Sequence, residues 1–322
     1  MPFPGRRLSI WAFMAVLIAG CTRAQPVRVA VGVPGELPPA LLHELAADKG
    51  FTVEVQPGDA SEVDVLWERD PEAVLQLAQR GLIAPLPGAD TYGRPASMID
   101  PERRWVASAT TARVLVYDPA RVANAEAPAK MSQLSRPETA RQLVLADPMH
   151  GAAAWQAAAL FAARGESQAL AFYRALLANG ARVVADEDAV VSALLAGDRP
   201  LALTDVDRAF AAQEKQPTLV VSLPDQDPNG VGVFVLPAVL AVTTRGAANP
   251  SSRVVLDFLL SAPVTRRIAI AANSILVLTD PAELSPGLLA IGALHVMPVS
   301  YAELAARLPA VRAALAQLAT PA

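Results

Sequence analysis

The alternation of strand patterns with helical patterns is the feature that most restricts the fold of this chain. From Val27 onwards, short runs rich in β-branched residues are each followed by an apolar pattern of helical period. Val27 to Val33 is predicted as a strand, and Pro38 to Asp48 as a helix that ends at Gly50. A chain that repeats this unit folds as an α/β protein whose mostly parallel sheet is flanked by helices.

Two such series are present, and two long extended stretches, at 110–117 and 231–242, connect them. The first series continues with predicted strands at 51–56 and 63–67 and a helix at 71–80. The second is predicted as strands at 112–117, 143–146, 182–184, 201–204 and 219–222, with helices at 152–164, 167–178 and 189–196. We therefore predict two lobes, the first formed by 27–111 plus 233–322 and the second by 112–232. Ligands of open α/β sheets bind beyond the carboxyl ends of the strands, so a cleft between the lobes is the predicted binding site.

The N-terminal segment has the layout of a secretory signal. Arg6 and Arg7 precede the uncharged apolar run 8–19, which is about half of the roughly 20 residues that a membrane-spanning helix needs. The following Ile18-Ala-Gly-Cys21 resembles the lipobox of bacterial lipoproteins. This resemblance implies that residues 1–20 are removed, that Cys21 carries the lipid anchor and that 21–26 form a tether. An ordinary cleavage beside a signal-sequence cysteine is the alternative.

Composition and charge exclude several classes of protein. Cys21 is the only cysteine, so no internal disulfide can form, and the 53% of hydrophobic residues must supply the core. Loss of 1–20 removes two arginines and no acid, which takes the formal charge from −4 to −6. An acidic chain is poorly suited to nucleic acid, whose affinity depends on neutralised phosphates. The sequence contains no Gly-x-Ser-x-Gly elbow, no His-Glu-x-x-His helix and no phosphate loop, so we predict that the protein is not an enzyme.

A resemblance to a known family rests on several short sequence motifs in a fixed order. They are Val-Asp-Val-Leu-Trp at 63–67, Gly-Leu-Ile-Ala-Pro-Leu at 81–86, Ala-Arg-Val-Leu-Val-Tyr at 112–117, Ala-Asp-Pro at 146–148, Ala-Leu-Thr-Asp-Val-Asp at 202–207, Pro-Asp-Gln at 224–226 and Leu-Asp-Phe-Leu-Leu-Ser-Ala-Pro at 256–263. Together they resemble the type II periplasmic solute-binding proteins of ABC importers, in the branch of ferric-ion-binding proteins. The resemblance implies a two-lobed monomer in the periplasm or at the cell surface that closes on a small ligand and delivers it to an ABC permease and its ATPase.

The same resemblance implies Fe(III) or another metal ion as ligand, with a carbonate-like anion beside it. Ferric-binding relatives hold iron with paired tyrosines near the helix that here begins at Thr204-Asp-Val-Asp207, and this chain has two carboxylates there instead. Carboxylates suit a hard cation but lack the phenolates that make iron capture tight. A small organic or phosphorus-containing anion is the alternative ligand, and a sensor or accessory lipoprotein that no longer serves transport is the alternative role.

Three acids are predicted to bind the ligand, as metal ligands if it is a metal. Asp205 and Asp207 follow a strand and begin a helix, and Asp70 precedes Pro71 at another helix start, where relatives place an acidic residue from the first lobe. Aspartate is also a preferred N-cap, so capping is the alternative role for Asp70 and for one of Asp205 and Asp207, which cannot both cap the same helix.

Arg113 and Gly151 are predicted to hold an anion. A guanidinium can fork onto an anion, and backbone N–H groups at a helix start attract one. The alternative for Arg113 is a salt bridge across the lobes. Weaker candidates are Glu36, Glu68, Tyr117 and His150.

Overall fold

The computed structural model of the protein describes residues 26–33, 36–50, 52–56, 62–123, 126–275, 277 and 293–319. The predicted signal segment and Cys21 lie outside these residues. The strands are β1 Val27–Val31, β2 Val53–Gln56, β3 Val65–Glu68, β4 Ile83–Ala84, β5 Val106–Tyr117, β6 Leu143–Ala146, β7 Arg182–Val184, β8 Leu201–Asp205, β9 Val220–Ser222 and β10 Val235–Thr243. The helices are α1 Leu37–Lys49, α2 Glu72–Gln79, α3 Pro137–Ala140, α4 Gly151–Arg164, α5 Glu166–Ala178, α6 Glu187–Leu195, α7 Val206–Lys215, α8 Pro250–Leu259, α9 Ala262–Ala271 and α10 Tyr301–Ala319.

The fold is α/β with two lobes, as predicted. The main path through the sheet runs β2-β1-β3-β10-β5-β8-β6-β7. In the first lobe β2, β1 and β3 are parallel, and in the second lobe β7, β6 and β8 are parallel. The long strands β5 and β10 lie between the two parallel sets and run antiparallel to their neighbours. The residue boundaries that divide the lobes remain a prediction. Helix α10, which that prediction assigns to the first lobe, packs chiefly on α4 and α5 of the second lobe.

Strand β5 is the physical link between the lobes. Its first half, from Val106 to Ala112, pairs with β10, and its second half, from Arg113 to Tyr117, pairs with β8 and β9. The strand begins earlier than the predicted 112–117 run because its first residues are covered by β10. In β10, Pro237 is followed at once by a shift of register between Ala238 and Val239, and prolines within sheets are typically found at such irregular positions.

Two apolar clusters stabilise the part of the molecule that the structure describes. The smaller one packs α1, through Leu41, Leu42 and Leu45, against one face of the first lobe's strands and against α8 and α9. The larger one extends from the other face of the first lobe into the second and includes Leu308 and Leu315 of α10. Helix α10 packs chiefly on α4 and α5 and also contacts α2. In the described part of the chain, no helix has the length and apolar character needed to cross a membrane.

Gly232 lies on the return path between the lobes, where the chain passes very close to the segment before α10. Its φ is +83°, and an added Cβ would lie 2.6 Å from the backbone N of Met297. Gly81 has a similar φ of +72° but open space around it. We therefore expect Gly232→Ala to lower the free energy of unfolding by roughly 1–3 kcal/mol more than Gly81→Ala, since both add left-handed strain and only the first adds a backbone clash. Urea unfolding of the two variants checks this, and equal losses would contradict it.

Candidate functional site

A cleft of about 230 Å³ opens where the strand ends of the two lobes face each other. The first lobe contributes Arg69 and Asp70, which follow β3, and β10 contributes Leu236. The second lobe contributes residues that end or follow β6, β7 and β8: Ala146, Asp147, His150, Gly151, Ala152, Ala185, Asp186, Glu187, Asp188, Asp205 and Arg208. The position is the one that strand topology predicts for a ligand site.

Asp70 and Gly151, both predicted site residues, face each other across this cleft from the two lobes. Asp70 also accepts a hydrogen bond from the backbone N of Glu72 at 2.8 Å, so it stabilises the start of α2 as well. Burial raises the pKa of Asp70. The hydrogen bond from the backbone N of Glu72 opposes that rise. Gly151 opens α4 with a φ of +53°, a conformation that glycine adopts without strain.

Arg113 lies beneath the cleft and does not line it. Its side chain is 1% exposed, and Nη1 donates to Asp205 Oδ1 at 2.8 Å and to Glu187 Oε1 at 2.5 Å. Nε donates to Gln156 Oε1 at 3.2 Å. Both carboxylates belong to the second lobe, so the guanidinium joins parts of one lobe and does not cross between lobes, unlike the predicted alternative. Contact between Arg113 and a ligand stays a prediction.

The charges of this cluster depend on each other. Burial raises the pKa of Glu187, Arg113 opposes the rise, and the charge of Asp205 adds to it. Thr204 Oγ1 also donates to Glu187 Oε2 at 2.7 Å. Burial opposes the charge of Arg113, but the carboxylates of Glu187 and Asp205 hold its pKa above the ordinary value. The cluster is therefore a buried ion group, and removal of one of its charges leaves the opposite charges buried without their partner.

Asp205 is fully buried, and both of its oxygens have arginine partners. Arg113 binds Oδ1, and Arg69 Nη2 lies 3.3 Å from Oδ2. Arg69 belongs to the first lobe and its side chain is 40% exposed, so the pair spans the cleft. Asp205 occupies the N-cap position of α7 without a side-chain capping bond, which excludes the capping alternative for it in this structure.

Asp207 lies in the first turn of α7 and is absent from the cleft lining. Its Oδ1 accepts a hydrogen bond from Thr111 Oγ1 at 3.2 Å, on the strand that joins the lobes. Burial raises the pKa of Asp207, and the nearby charge of Asp205 raises it further. Its role as a ligand residue stays a prediction.

The raised pKa of Asp207 predicts a pH dependence of stability. A buried carboxyl whose folded pKa lies above the ordinary 3.8 costs stability when ionised. The cost is absent below that ordinary value, grows as pH rises towards the folded pKa and is complete above it. We expect Asp207→Asn to raise the free energy of unfolding at neutral pH and to flatten its fall with rising pH in the mildly acidic range, as measured by urea unfolding across pH.

Asp227 supplies the opposite control. Lys130 holds the pKa of this exposed carboxyl below its usual value. Its stabilising contribution is therefore present above the ordinary pKa and is lost as pH falls through the folded pKa. Asp227→Asn should remove a contribution to the free energy of unfolding that increases with pH, whereas Asp207→Asn removes one that decreases with pH. Loss of stability in Asp207→Asn at neutral pH would contradict the assignment.

The described residues contain no group of three or more His, Cys, Asp or Glu side chains placed to hold a metal ion. Asp70, Asp205 and Asp207 do not form such a group, and Asp205 is bonded to arginines while Asp207 is bonded to Thr111. Their assignment as metal ligands remains a prediction. Of the weaker candidates, His150 is exposed at the cleft and Tyr117 is buried in the core.

The sequence patterns did not single out several charged residues of the cleft, among them Arg69, Glu187 and Arg208. Arg69 lies between Glu68 and Asp70. Glu187 follows Asp186, whose side chain caps α6 by accepting from the backbone N of Ala189. Arg208 pairs with Asp188 at 3.2 Å. The predicted end of a strand at Val184 could have indicated Glu187. Residues that follow one strand of a parallel sheet lie at the same edge of the sheet as residues that follow the adjacent parallel strands.

Comparison with known proteins fits the cleft and the two-lobed fold. Residues 63–285 match the family described as bacterial extracellular solute-binding protein. The chain belongs to this family. Well over half of the solute-binding protein is matched, and the matched part includes the cleft residues from both lobes.

One curated relative and two solved structures are similar to this chain. The solute-binding protein is 32% identical over 128 residues to a protein of Serratia marcescens named Fe(3+)-binding periplasmic protein, an alignment that spans 39% of this chain and only 37% of that protein. Its fold is similar to that of iron-bound HitA from Pseudomonas aeruginosa, with a TM-score of 0.75, 18% identity, and coverage of 89% of this chain and 98% of HitA. It is also similar to AfuA from Actinobacillus pleuropneumoniae with fructose-6-phosphate bound, with a TM-score of 0.69, 13% identity, and coverage of 92% and 97%. The low identities limit both structural likenesses to the fold.

Proposed function

We propose that this protein captures a small charged solute in the cleft between its lobes and delivers it to the permease of an ABC importer, whose ATPase drives uptake. The observation that carries the proposal is the cleft itself, because charged side chains of both signs reach it from the strand ends of both lobes. A ligand that contacts both rims is bound best when the lobes are closed, so it favours closure by its difference in affinity for the two states. The protein acts by binding and is not an enzyme.

Fe(III) accompanied by an anion is the first candidate ligand. The Serratia relative is named for Fe(3+) binding, and carboxylates such as Asp70 suit a hard cation. A bare ion at Asp205 would lie beside two guanidinium groups, of Arg69 and Arg113, which repel it. The cleft therefore favours iron that arrives with an anion over iron alone.

A small organic or phosphorus-containing anion is the second candidate, and Arg69 is the observation that favours it. Its guanidinium is 40% exposed at the cleft and can fork onto a phosphate or carboxylate. The start of α4 at Gly151 directs backbone N–H groups to the same space. The fold likeness to AfuA with a sugar phosphate bound is in keeping with this candidate.

Thermal unfolding of the purified mature protein with a panel of probes tests the proposal. The panel is Fe(III)–citrate, citrate alone, inorganic phosphate and fructose-6-phosphate. A ligand at 100 times its Kd stabilises the folded state by about 2.7 kcal/mol, which gives a clear rise in Tm. A rise with Fe(III)–citrate but not with citrate supports the first candidate, and a rise with a phosphate supports the second. No rise with any probe would count against solute capture.

We also propose that the mature protein is a lipoprotein anchored through Cys21, in the periplasm or at the cell surface. A diacylated cysteine holds a protein at a membrane, whereas a single acyl chain binds only marginally. We expect Cys21→Ser to release the protein into the soluble fraction, with the mass of the unlipidated chain. Fractionation and intact mass of the host-expressed protein check this, and unchanged membrane attachment of the variant would contradict it.

A further inference from the structure

We propose that Arg312, on the C-terminal helix α10, is a positioning residue that holds the two rims of the cleft together. Helix α10 begins at Tyr301, beyond the residues 63–285 that match the family. The sequence patterns gave this helix no functional role. The inference rests on the proposed function, since it concerns how the cleft closes.

The side chain of Arg312 bonds to both lobes at once. Nη1 and Nη2 fork onto Oε1 and Oε2 of Glu72, each at 3.0 Å, and Glu72 is the first residue of α2 in the first lobe. Nε donates to the backbone oxygen of Met149 at 3.0 Å, in the loop before α4 in the second lobe. All three contacts are charge-assisted, and the fork fixes the angle as well as the distance.

Each anchoring point lies next to a cleft residue. The backbone N of Glu72 donates to Asp70 Oδ1 at 2.8 Å, and the backbone N of Met149 donates to Asp147 Oδ1 at 3.0 Å. Asp70 and Asp147 line the cleft from opposite lobes. Arg312 therefore connects the backbone segments that place one carboxylate on each rim.

Helix α10 is held mainly by the second lobe and by the link between lobes. The ring of Tyr301 packs edge-on against Trp155 of α4 with a centroid distance of 6.2 Å, and its hydroxyl donates to the backbone oxygen of Val235 at 2.7 Å. Buried Leu308 and Leu315 continue this contact. When the lobes part, Arg312 stays with α4 while Glu72 moves with α2, so opening must break the fork.

The fork is more than an ordinary surface pair. The two side chains are 29% and 25% exposed, and the hydrogen bond to Glu72 holds the pKa of Arg312 above its usual value. A partly buried bidentate pair is worth more than the small contribution typical of exposed ion pairs. It is sufficient to change the ratio of open to closed molecules without deciding whether the protein folds.

The pair Arg267 and Glu44 offers a matched control. It forms the same fork, at 3.0 and 2.9 Å, but joins α9 to α1, which share one apolar cluster in the first lobe. Breaking this pair should leave the distance between the lobes unchanged.

The test compares ligand-free Glu72→Gln, Arg312→Gln, the charge reversal Glu72→Arg with Arg312→Glu, and Arg267→Gln. Interlobe distance is measured by small-angle X-ray scattering and by fluorescence energy transfer between one dye on each lobe. We expect both single variants to raise the ratio of open to closed molecules about five- to tenfold, the reversal to recover much of the closed population, and Arg267→Gln to match the wild type.

Unchanged interlobe distances in both single variants would overturn the proposal. So would a lowered Tm with unchanged distances, which is what a purely structural role predicts, or a reversal that opens the cleft as far as the single variants do. Because no ligand is needed, these outcomes are independent of whether the probe panel finds one. A negative result for the bond between Arg312 and Glu72 is thereby distinguished from a negative result for solute capture.

Discussion

Replacing Arg113 by methionine is expected to lower the free energy of unfolding by about 3–5 kcal/mol, which is one of the two largest effects that this structure predicts. Methionine keeps much of the apolar length of the side chain, but Asp205 and Glu187 then lie buried without their shared guanidinium. An uncompensated buried carboxylate is costly, and part of the cost is relieved when it takes up a proton. Urea unfolding at neutral pH and at mildly acidic pH measures both the loss and its partial relief.

Two controls test whether the loss of stability in Arg113→Met comes from the buried charges. Arg267→Met breaks an exposed pair and should cost less than about 1 kcal/mol. Adding Glu187→Gln and Asp205→Asn to Arg113→Met removes the buried charges and should restore part of the stability. If Arg113→Met cost no more than Arg267→Met, the description of a buried, interdependent ion group would be wrong.

Filling the cleft is expected to abolish capture of whichever probe stabilises the wild type. Ala185 is exposed, follows β7 and lines the cleft, so Ala185→Trp places an indole in a space of about 230 Å³ with little effect on the core. A loss of affinity of at least about 100-fold, equivalent to about 2.7 kcal/mol, is expected because the ligand and the indole compete for the same volume. Titration calorimetry with the active probe measures it.

Ala163 on α4 is the matched control for this substitution. It is exposed, outside the cleft lining and part of the same lobe, so Ala163→Trp adds the same indole to the surface away from the cleft. We expect its affinity and Tm to equal those of the wild type. Full affinity in Ala185→Trp, with the fold intact, would place the ligand somewhere else.

Local patterns in the sequence were enough to predict most of the fold. The strand at 143–146 begins and ends as predicted, because a buried apolar run bounded by turn residues has few alternatives. The strand at 182–184 also has its predicted bounds, although it is mostly exposed and lies at the end of the sheet path beside β6. The early start of β5 was not predictable, since Val106 to Ala112 is extended only through its pairing with the distant β10. The packing of α10 on α4 depends likewise on tertiary contacts that the amphipathic pattern does not specify.

The candidate site was predicted at the level of position and less well at the level of partners. Strand ends placed Asp70, Gly151 and Asp205 at the cleft, where the structure has them. The sequence could not show that Arg69 and Arg113 take both oxygens of Asp205, because such pairs join residues far apart in the chain. Whether the cleft favours a metal ion or an anion depends on those ion pairs. The spacing of the residues along the chain does not specify which pairs form.

Native mass spectrometry of the protein purified from its own host, with elemental analysis, tests solute capture most directly. We predict a small non-covalent adduct on the wild type that is released on unfolding, contains iron or phosphorus, and is missing from Ala185→Trp prepared in the same way. An adduct held equally by both proteins, or a wild type that carries none in the host and binds no probe, would contradict capture in the cleft.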